Sequence, residues 1–288
     1  MPGSSKNLDP GPFLEKWGLT LVGTRPARSQ AQIFEVTLED EVPAILKVYR
    51  LLSLGSEAEA PKFLSLMNGA ACVRLLRECP GALLLERLEG NMLQSVVSRG
   101  DDETATEIII DIAEAIRKKR FGFKPARNLE LRFDTLLKTD RNAHPALNTA
   151  TFQKAIDVAR MSLDRDSRAE RGLLHGDLHH TNIVEGKREW CAIDPMTLYG
   201  EAEAEYGQAF CNPSHEVEIV NNPERAIRIA NQINARTALS QERLIAWGVV
   251  MAAHSLVKEV NRLPFEQREL NRTAARLEAI VAAYGAVS

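Results

Sequence analysis

The amino-acid sequence predicts an α+β fold in two lobes, an antiparallel sheet with one helix first and a mostly helical part after it. Short apolar stretches bounded by turn residues, typical of strands, recur from residue 19 to 49 and from 73 to 88. After Gly90 the apolar spacing changes to that of amphipathic helices. We therefore predict an N-terminal lobe over residues 1–88 and a C-terminal lobe over residues 89–288.

The composition fits a soluble globular protein and argues against two classes of partner. The chain has 288 residues, of which 44% are hydrophobic and 26% charged, enough for one large domain or for two lobes around sizeable cores. A formal net charge of −3 gives no basis for binding nucleic acid. No apolar run reaches the roughly 18 residues of a membrane span, and the first residues lack the apolar segment of a secretory signal. We expect neither nucleic acid nor a membrane as a partner.

The four cysteines indicate a reducing compartment. Cys72, Cys79, Cys191 and Cys211 follow no paired spacing and lie mainly in apolar runs. Such cysteines are typical of reduced, buried thiols. The sequence therefore predicts a cytoplasmic protein.

Five stretches of the N-terminal lobe have the apolar residues and the flanking turn residues of strands. They are residues 19–23, 32–38, 42–49, 73–77 and 82–88. A helix with acidic residues near its start is predicted between the third and fourth of them. The C-terminal lobe carries amphipathic helical patterns, which include residues 104–119, 244–260 and 270–284.

A short polar loop between two apolar runs carries the strongest chemical signal. The run Leu173-Leu174-His175-Gly176-Asp177-Leu178-His179-His180-Thr181-Asn182-Ile183-Val184 is followed by Trp190-Cys191-Ala192-Ile193-Asp194-Pro195. We interpret these as two short buried strands whose polar ends face one site. Asp177, Asn182 and Asp194 would then present hard oxygen ligands suited to Mg²⁺. Phosphoryl transfer uses such a set, in which one acid orients the attacking hydroxyl and the other two groups hold metal on the nucleotide phosphates.

The pattern His175-Gly176-Asp177-Leu178-His179-x-x-Asn182-Ile183, followed by Ile193-Asp194, resembles the catalytic loop and metal-binding segment of the aminoglycoside phosphotransferase family. That family is a small-molecule branch of the protein-kinase-like fold. Within it, the chain is most similar to enzymes of the streptomycin 6-kinase and hydroxyurea phosphotransferase type. Asp194-Pro195 stands where protein kinases have Asp-Phe-Gly. The resemblance implies a bilobal kinase-like fold, ATP and Mg²⁺ as cofactors, and a small-molecule alcohol as acceptor.

The resemblance also gives a role to a lysine in the third predicted strand. Taken alone, Lys47 could be a solvent-facing residue of a half-buried strand. The kinase-like fold places a phosphate-binding lysine on this strand, paired with a glutamate of the next helix. We favour Glu59 as that partner because Phe63 and Leu66 share its helical face, and Glu57 is the alternative.

The predicted nucleotide contacts are those that the resemblance implies. The segment between the first two strands lacks the G-x-G-x-x-G of protein kinases, so we assign phosphate contacts to Ser29 and its neighbours. Residues 83–88 resemble the strand that connects the lobes in kinases. The backbone of Glu86 and Leu88 would then contact the adenine edge.

The acidic residues Glu201, Glu203 and Glu205 allow two interpretations. They are either a solvated helix start or an acidic wall for a cationic substrate. In the resembling enzymes, acids at the positions of Glu201 and Glu205 brace the catalytic loop.

The sequence thus predicts ATP- and Mg²⁺-dependent phosphorylation of a small-molecule hydroxyl, with Asp177 as the catalytic group. An aminoglycoside such as streptomycin is the favoured acceptor, and hydroxyurea, choline or a sugar metabolite are alternatives. A non-catalytic nucleotide-binding module would fit the missing glycines but not the intact Asp177, Asn182 and Asp194. A zinc protein that uses the histidines of the polar loop is a third hypothesis.

Overall fold

The computed structural model describes residues 8–26, 30–50 and 53–288. The chain forms two compact units. The first consists of Met1–Gly90 together with Val184–Met196, and the second of Asn91–Ile183 together with Thr197–Ser288. The sequence-based division at residue 88 did not anticipate that residues 184–196 return to the first unit.

The predicted order of an antiparallel sheet followed by helices is confirmed. The strands are β1 (Thr20–Thr24), β2 (Ala31–Thr37), β3 (Pro43–Tyr49), β4 (Leu75–Cys79), β5 (Ala82–Glu86), β6 (Gly172–Leu174), β7 (Ile183–Glu185), β8 (Trp190–Ala192) and β9 (Leu198–Gly200). The helices are α1 (Gly11–Trp17), α2 (Ala60–Met67), α3 (Gln94–Ser98), α4 (Asp102–Arg117), α5 (Leu129–Leu137), α6 (Ala150–Arg168), α7 (Gly207–Cys211), α8 (Val217–Val220), α9 (Pro223–Thr237), α10 (Gln241–Val260) and α11 (Gln267–Val287). Short 3₁₀ helices lie at Gly55–Glu57, Arg141–Ala143, Pro145–Leu147 and Ala202–Tyr206.

The first unit is built on a five-stranded antiparallel sheet with the order β1-β2-β3-β5-β4. Alternate residues of β3 face one hydrophobic core, where Ala44, Leu46 and Val48 pack with Phe34 of β2. Lys47 therefore points to the opposite face of the sheet from these apolar neighbours.

One strand starts later than its apolar pattern predicted. The fourth predicted strand began at residue 73, whereas β4 covers Leu75–Cys79. The preceding residues join the returning segment instead. Cys72 forms a parallel bridge with Ala192, and the Val73 amide donates to the Ala192 carbonyl at 2.9 Å. Apolar periodicity identifies a strand but does not identify its partner.

The second unit is organised around α10, which is buried along most of its length. Trp247, Val250 and Leu256 are among its fully buried residues, and the helix packs against α6, α7, α9 and α11. Several of the surrounding helices begin at a polar residue that accepts a hydrogen bond from a free backbone amide of the first turn. These capping residues are Asp101, Asn128, Thr149 and Asn222. Within the described ranges, no helix is both long and apolar enough to cross a bilayer.

Gly90 sits where the first unit has no room for a side chain. Its amide donates to the Glu185 carbonyl at 3.1 Å. A Cβ at this position would lie 2.4 Å from the Glu185 carbonyl oxygen, which belongs to the backbone and cannot rotate away. The close approach of the two backbones therefore requires glycine here.

We expect Gly90→Ala to lower the free energy of unfolding by about 1–3 kcal/mol, because the added methyl group displaces the Glu185 backbone. Urea unfolding followed by circular dichroism measures the change. Gly122→Ala is the matched control, since a Cβ there meets nothing within 4 Å. Equal stability of the two variants would contradict the close approach.

Candidate active site

A buried carboxylate holds the polar loop that follows β6. Glu205, on the 3₁₀ helix Ala202–Tyr206, accepts hydrogen bonds from the amides of His175 at 2.6 Å and Gly176 at 3.0 Å. Gly176 has a left-handed backbone with φ of 79°, and a Cβ there would lie 2.6 Å from Leu198 Cγ. Both observations require glycine at this turn. The start of the loop is therefore fixed before any ligand binds.

Asp177 is held in one orientation by three side chains. The Asn182 amide nitrogen donates to the Asp177 carbonyl oxygen at 3.0 Å and to its Oδ2 at 3.1 Å. Gln208 Nε2 donates to Oδ1 at 2.8 Å, and Arg132 Nη2 lies 3.4 Å from the same oxygen. The structure thus brings Asp177 and Asn182 together, as the sequence predicted.

The pKa of Asp177 is held well below its ordinary value. Burial alone would raise this pKa, but a hydrogen bond from His179 and the electrostatic interactions with His179, Arg132 and His175 outweigh burial. His179 Nε2 lies 3.5 Å from Asp177 Oδ2. Asp177 is therefore ionised at neutral pH and acts as a hydrogen-bond acceptor.

The histidines of the loop have separate surroundings. His175 Nδ1 accepts from the Asp177 amide at 3.3 Å, and His179 Nδ1 lies 3.0 Å from Thr181 Oγ1. His180 is 1% exposed, and burial followed by the charge of Arg225 lowers its pKa to about 3. Among the residues that the structure describes, no group of three or more His, Cys, Asp or Glu side chains could hold a metal ion.

A second cluster of charged groups lies in the first unit. Lys47 Nζ donates to Glu57 Oε2 at 2.5 Å and to Asp194 Oδ1 at 2.8 Å. The Tyr49 hydroxyl donates to the same Glu57 oxygen at 2.7 Å. Burial lowers the pKa of Lys47, but the charges of Asp194 and Glu57 outweigh burial and raise it, so the lysine stays protonated.

The predicted pairing of Lys47 with Glu59 is wrong. Glu57, the alternative, is the partner, and it lies on the 3₁₀ turn Gly55–Glu57 before the helix. The prediction relied on a helical face shared by Glu59, Phe63 and Leu66. Pro61 occupies the first turn of α2, so the helix begins at Ala60 and Glu59 is its N-cap residue rather than a member of that face.

Asp194 follows β8 in a left-handed backbone conformation with φ of 59°. This conformation is uncommon for a residue with a Cβ and costs of the order of 1 kcal/mol. The ion pair with Lys47 holds the carboxylate in place, and the side chain remains 31% exposed. Residues held in such conformations cluster at functional sites.

The predicted adenine-binding segment is held at Glu86 by one ion pair and one backbone hydrogen bond. The Glu86 carboxylate accepts from Arg188 at 2.8 and 3.1 Å and from the Arg74 amide at 2.8 Å. The Leu88 amide makes no hydrogen bond within the described part of the chain, so it remains available as a donor. Ser29 lies outside the described residues.

The interpretation of Glu201, Glu203 and Glu205 as an acidic wall for a cation is wrong. All three are buried. Glu201 is hydrogen-bonded to Trp247 Nε1 and paired with Arg243. Glu205 braces the polar loop, as the resemblance suggested. A run of acids in a sequence does not reveal which of them are buried.

Arg132, Gln208 and Tyr49 are the residues of these clusters that the sequence did not single out. Arg132 is 9% exposed and belongs to α5, far along the chain from Asp177. For Tyr49 the sequence indicates only that it belongs to a strand. These residues belong to no motif, so a single sequence carries no signal for them.

The buried Glu205 predicts a pH dependence of stability. Burial raises its pKa from 4.5 to about 7, although hydrogen bonds from the amides of Gly176 and His175 oppose the rise. Because the raised pKa means that the folded state favours protonated Glu205, the stability contributed by this residue is fully present below pH 4.5. It is lost as the pH rises to about 7.

Between pH 4.5 and about 7, we expect the free energy of unfolding of the wild type to fall by roughly 3 kcal/mol relative to that of Glu205→Gln. This is the free energy that corresponds to a pKa shift of this size. Urea unfolding at a series of pH values between 4.5 and 8 measures the difference. Glu278→Gln, at an exposed position of α11, is the control and should change nothing. Parallel pH profiles for wild type and Glu205→Gln would contradict the raised pKa.

Most of the chain matches a known protein family. The model of the "Aminoglycoside/hydroxyurea antibiotic resistance kinase" family matches residues 16–261. Streptomycin 3''-kinase from Klebsiella pneumoniae is 31% identical over 245 residues, which are 81% of this chain and 86% of that protein. Hydroxyurea phosphotransferase from Kitasatospora aureofaciens is 34% identical over 206 residues, 69% of this chain and 59% of that protein.

A solved structure shows the same fold at low sequence identity. The aminoglycoside phosphotransferase APH(4)-Ia, crystallised with ADP and hygromycin B, superposes with a TM-score of 0.66 at 13% identity. The match covers 94% of this chain and 97% of that one. With this fold, and with a family model that matches most of its length, the chain belongs to the aminoglycoside/hydroxyurea antibiotic resistance kinase family and is a small-molecule kinase.

Proposed function

We propose that the protein transfers the γ-phosphate of ATP, with Mg²⁺, to a hydroxyl of a small antibiotic-type molecule. The observation that carries this proposal is the Asp177 carboxylate, which is ionised and held by Asn182, Gln208 and Arg132. A fixed carboxylate of this kind can accept a hydrogen bond from an alcohol and orient its oxygen for attack.

The proposed metal ligands have the chemistry that Mg²⁺ requires. The Asn182 amide nitrogen donates to Asp177, which leaves the amide oxygen as a ligand. Asp194 engages Lys47 through Oδ1 and retains its second carboxylate oxygen. Both are hard oxygen donors, which Mg²⁺ prefers. When bound, Mg²⁺ would neutralise charge on the nucleotide phosphates.

The remaining roles are assigned from the charges of Lys47 and Asp177 and, for the other contacts, from the resemblance to the kinase-like family. Lys47, protonated and positioned by Glu57 and Tyr49, would bind the phosphates. Asp177 would orient the acceptor hydroxyl and take its proton late in the reaction, because a carboxylate of depressed pKa is a weak base. The backbone of Glu86 and Leu88 would contact adenine, and Ser29 would contact phosphate.

The acceptor is proposed from the relatives. A streptomycin-like antibiotic is the first candidate, because of the similarity to streptomycin 3''-kinase, and hydroxyurea is the second. We further propose that the protein works in the cytoplasm. Its four cysteines are free thiols, which supports a reducing compartment.

Asp177→Asn is expected to reduce phosphate transfer by a factor of about 10²–10⁴, because the neutral amide cannot accept the proton. ATP binding should stay within about twofold of the wild type, since Asp177 is not proposed to contact the nucleotide. Mass spectrometry of the acceptor after incubation with Mg-ATP measures transfer. Asp164→Asn, an exposed carboxylate of α6, is the control. Full activity of Asp177→Asn would remove this residue from the mechanism.

Glu57→Gln is expected to weaken ATP binding about tenfold or more, because Lys47 loses one of the two carboxylates that position its ammonium group. Glu59→Gln should bind ATP like the wild type, since the carboxylate of Glu57 still pairs with Lys47. Isothermal titration calorimetry with Mg-ATP compares the two variants. A larger loss with Glu59→Gln would restore the pairing predicted from the sequence.

A further inference from the structure

A cavity with a volume of about 790 Å³ opens in the second unit. It is lined by the end of α4 and the connection that follows, by β6 and β9, and by the 3₁₀ helix Ala202–Tyr206 with the start of α10. The side chains that hold Asp177 do not line it. Cavities of this volume are typical of small-molecule sites. The second unit therefore has space for a ligand that does not contact the Asp177 carboxylate.

The floor of the cavity lies beside the polar loop. Leu173 and Leu174 of β6 line the cavity and are 2% and 4% exposed. Glu205 lines it as well, and its carboxylate accepts the hydrogen bonds from the amides of His175 and Gly176. A ligand that fills the floor would therefore pack against the residues that fix the start of the loop.

Aromatic rings form the walls of the cavity. Phe121 and Phe123, on the connection between α4 and α5, pack edge to face with ring centroids 6.4 Å apart. Tyr199 of β9 also lines the cavity. A Cβ added at Gly122 or Gly172, two further lining residues, would meet no atom within 4 Å beyond its neighbours in the chain. The space beside these rings is therefore open, and a flat ring of a ligand can stack there.

Most of the acids around the cavity are buried or paired. The acids that line it are Glu114, Glu170, Glu201, Glu203 and Glu205. The last three of these are buried. Glu114 accepts two hydrogen bonds from Arg117, at 2.8 and 2.6 Å. The exposed Glu170 is the lining acid that remains.

The cations around the cavity are in surplus. Those that line it are Arg117, Lys119, Lys124, Arg171 and Arg243. Each of the three arginines is paired with a carboxylate. Lys119 and Lys124 form no ion pair with any residue that the structure describes. Because these two lysines outnumber Glu170, the cavity favours an anionic ligand.

One of these lysines lies directly beside an aromatic wall. Lys124 Nζ is 4.7 Å from the centre of the Tyr199 ring. A carboxylate bound to Lys124 would thus place a ring attached to it next to Tyr199, within the distance at which aromatic rings stack. Charge and aromatic surface therefore meet at one end of the cavity.

We propose that this cavity binds a small aromatic carboxylate. The carboxylate lies between Lys119 and Lys124, and the ring packs on Tyr199. Charge-assisted hydrogen bonds from two unpaired lysines favour this anion over a neutral analogue. A ring held here covers the floor and stabilises the start of the polar loop through Glu205. The inference goes beyond the proposed phosphate transfer, and neither depends on the other.

The test compares three compounds by isothermal titration calorimetry of the full chain, with and without saturating Mg-ATP. Naphthoate has both the aromatic ring and the carboxylate. Naphthalenemethanol has the same ring without the charge, and decalincarboxylate has the charge on a saturated ring system of similar size. We expect naphthoate to bind at least tenfold more tightly than naphthalenemethanol and at least threefold more tightly than decalincarboxylate. Mg-ATP should leave its Kd unchanged within about twofold.

Lys119→Gln and Lys124→Gln each remove one cation from the cavity. We expect each to weaken the binding of naphthoate at least threefold, and the double variant at least tenfold, because the carboxylate loses charged donors. Lys118→Gln is the matched control, since Lys118 is the preceding residue, is exposed and does not line the cavity. It should bind naphthoate like the wild type.

Hydrogen exchange locates the bound ligand. At saturating naphthoate, we expect exchange of the His175 and Gly176 amides to slow at least threefold, because the ligand packs against Glu205, which accepts from both. Mass spectrometry of peptides measures the exchange. Strand β2 of the first unit is the internal control, and its exchange should not change.

Each outcome decides the question. No binding of naphthoate, or equal binding of the three compounds, would overturn the inference. So would binding that is lost in Mg-ATP, an equal loss of affinity in Lys118→Gln and Lys119→Gln, or unchanged exchange at His175 and Gly176. None of these results bears on phosphate transfer, which Asp177→Asn tests separately.

Discussion

The bond between the buried Glu205 carboxylate and the amides of His175 and Gly176 is the constraint on which the candidate site depends. It fixes the turn from which Asp177 projects. The same 3₁₀ helix is anchored at its other end, where Glu201 engages Trp247 and Arg243 of α10. The central helix of the second unit therefore positions the polar loop through a short turn of three buried acids. Burial of Glu205 raises its pKa and lowers stability near neutral pH, and its hydrogen bonds fix the geometry of the loop.

The two charged clusters have opposite surroundings. Asp177 is an acid among basic side chains, and its pKa is depressed. Lys47 is a base between two carboxylates, and its pKa is raised. Each group is thereby kept in the charged form that phosphoryl transfer needs, an anionic acceptor for the hydroxyl proton and a cation for the phosphates. These side chains can contribute positioning and charge to phosphoryl transfer, but they do not include a strong base.

The sequence predicted the parts of the site that obey a local rule. Asp177 and Asn182 lie five positions apart on one loop, and their side chains meet as this spacing predicted. Asp194 follows the short strand β8, as its apolar run predicted. The order of sheet and helices was predictable for the same reason, since periodicity reports local burial.

The failures concern contacts between distant segments. Arg132 and Gln208 meet Asp177 only through packing of the second unit, which one sequence does not encode in any local pattern. The pairing of Lys47 with Glu59 is wrong for a local reason. With Pro61 in its first turn, α2 begins at Ala60, and Glu59 is the N-cap residue. The interpretation of the three glutamates after β9 as an acidic wall is wrong because their charge suggested exposure, whereas each is buried.

The return of residues 184–196 to the first unit has a consequence for how the chain matures. A nascent chain that has emerged only as far as Gly90 already contains every strand of the five-stranded sheet. It lacks Asp194, so the buried Lys47 ammonium would have Glu57 as its remaining carboxylate partner of the two seen here. It also lacks Ala192, the bridging partner of Cys72. The N-terminal sheet can therefore reach its final electrostatic balance only after residues 184–196 have left the ribosome, and by then Asn91–Ile183 of the second unit has already been synthesised.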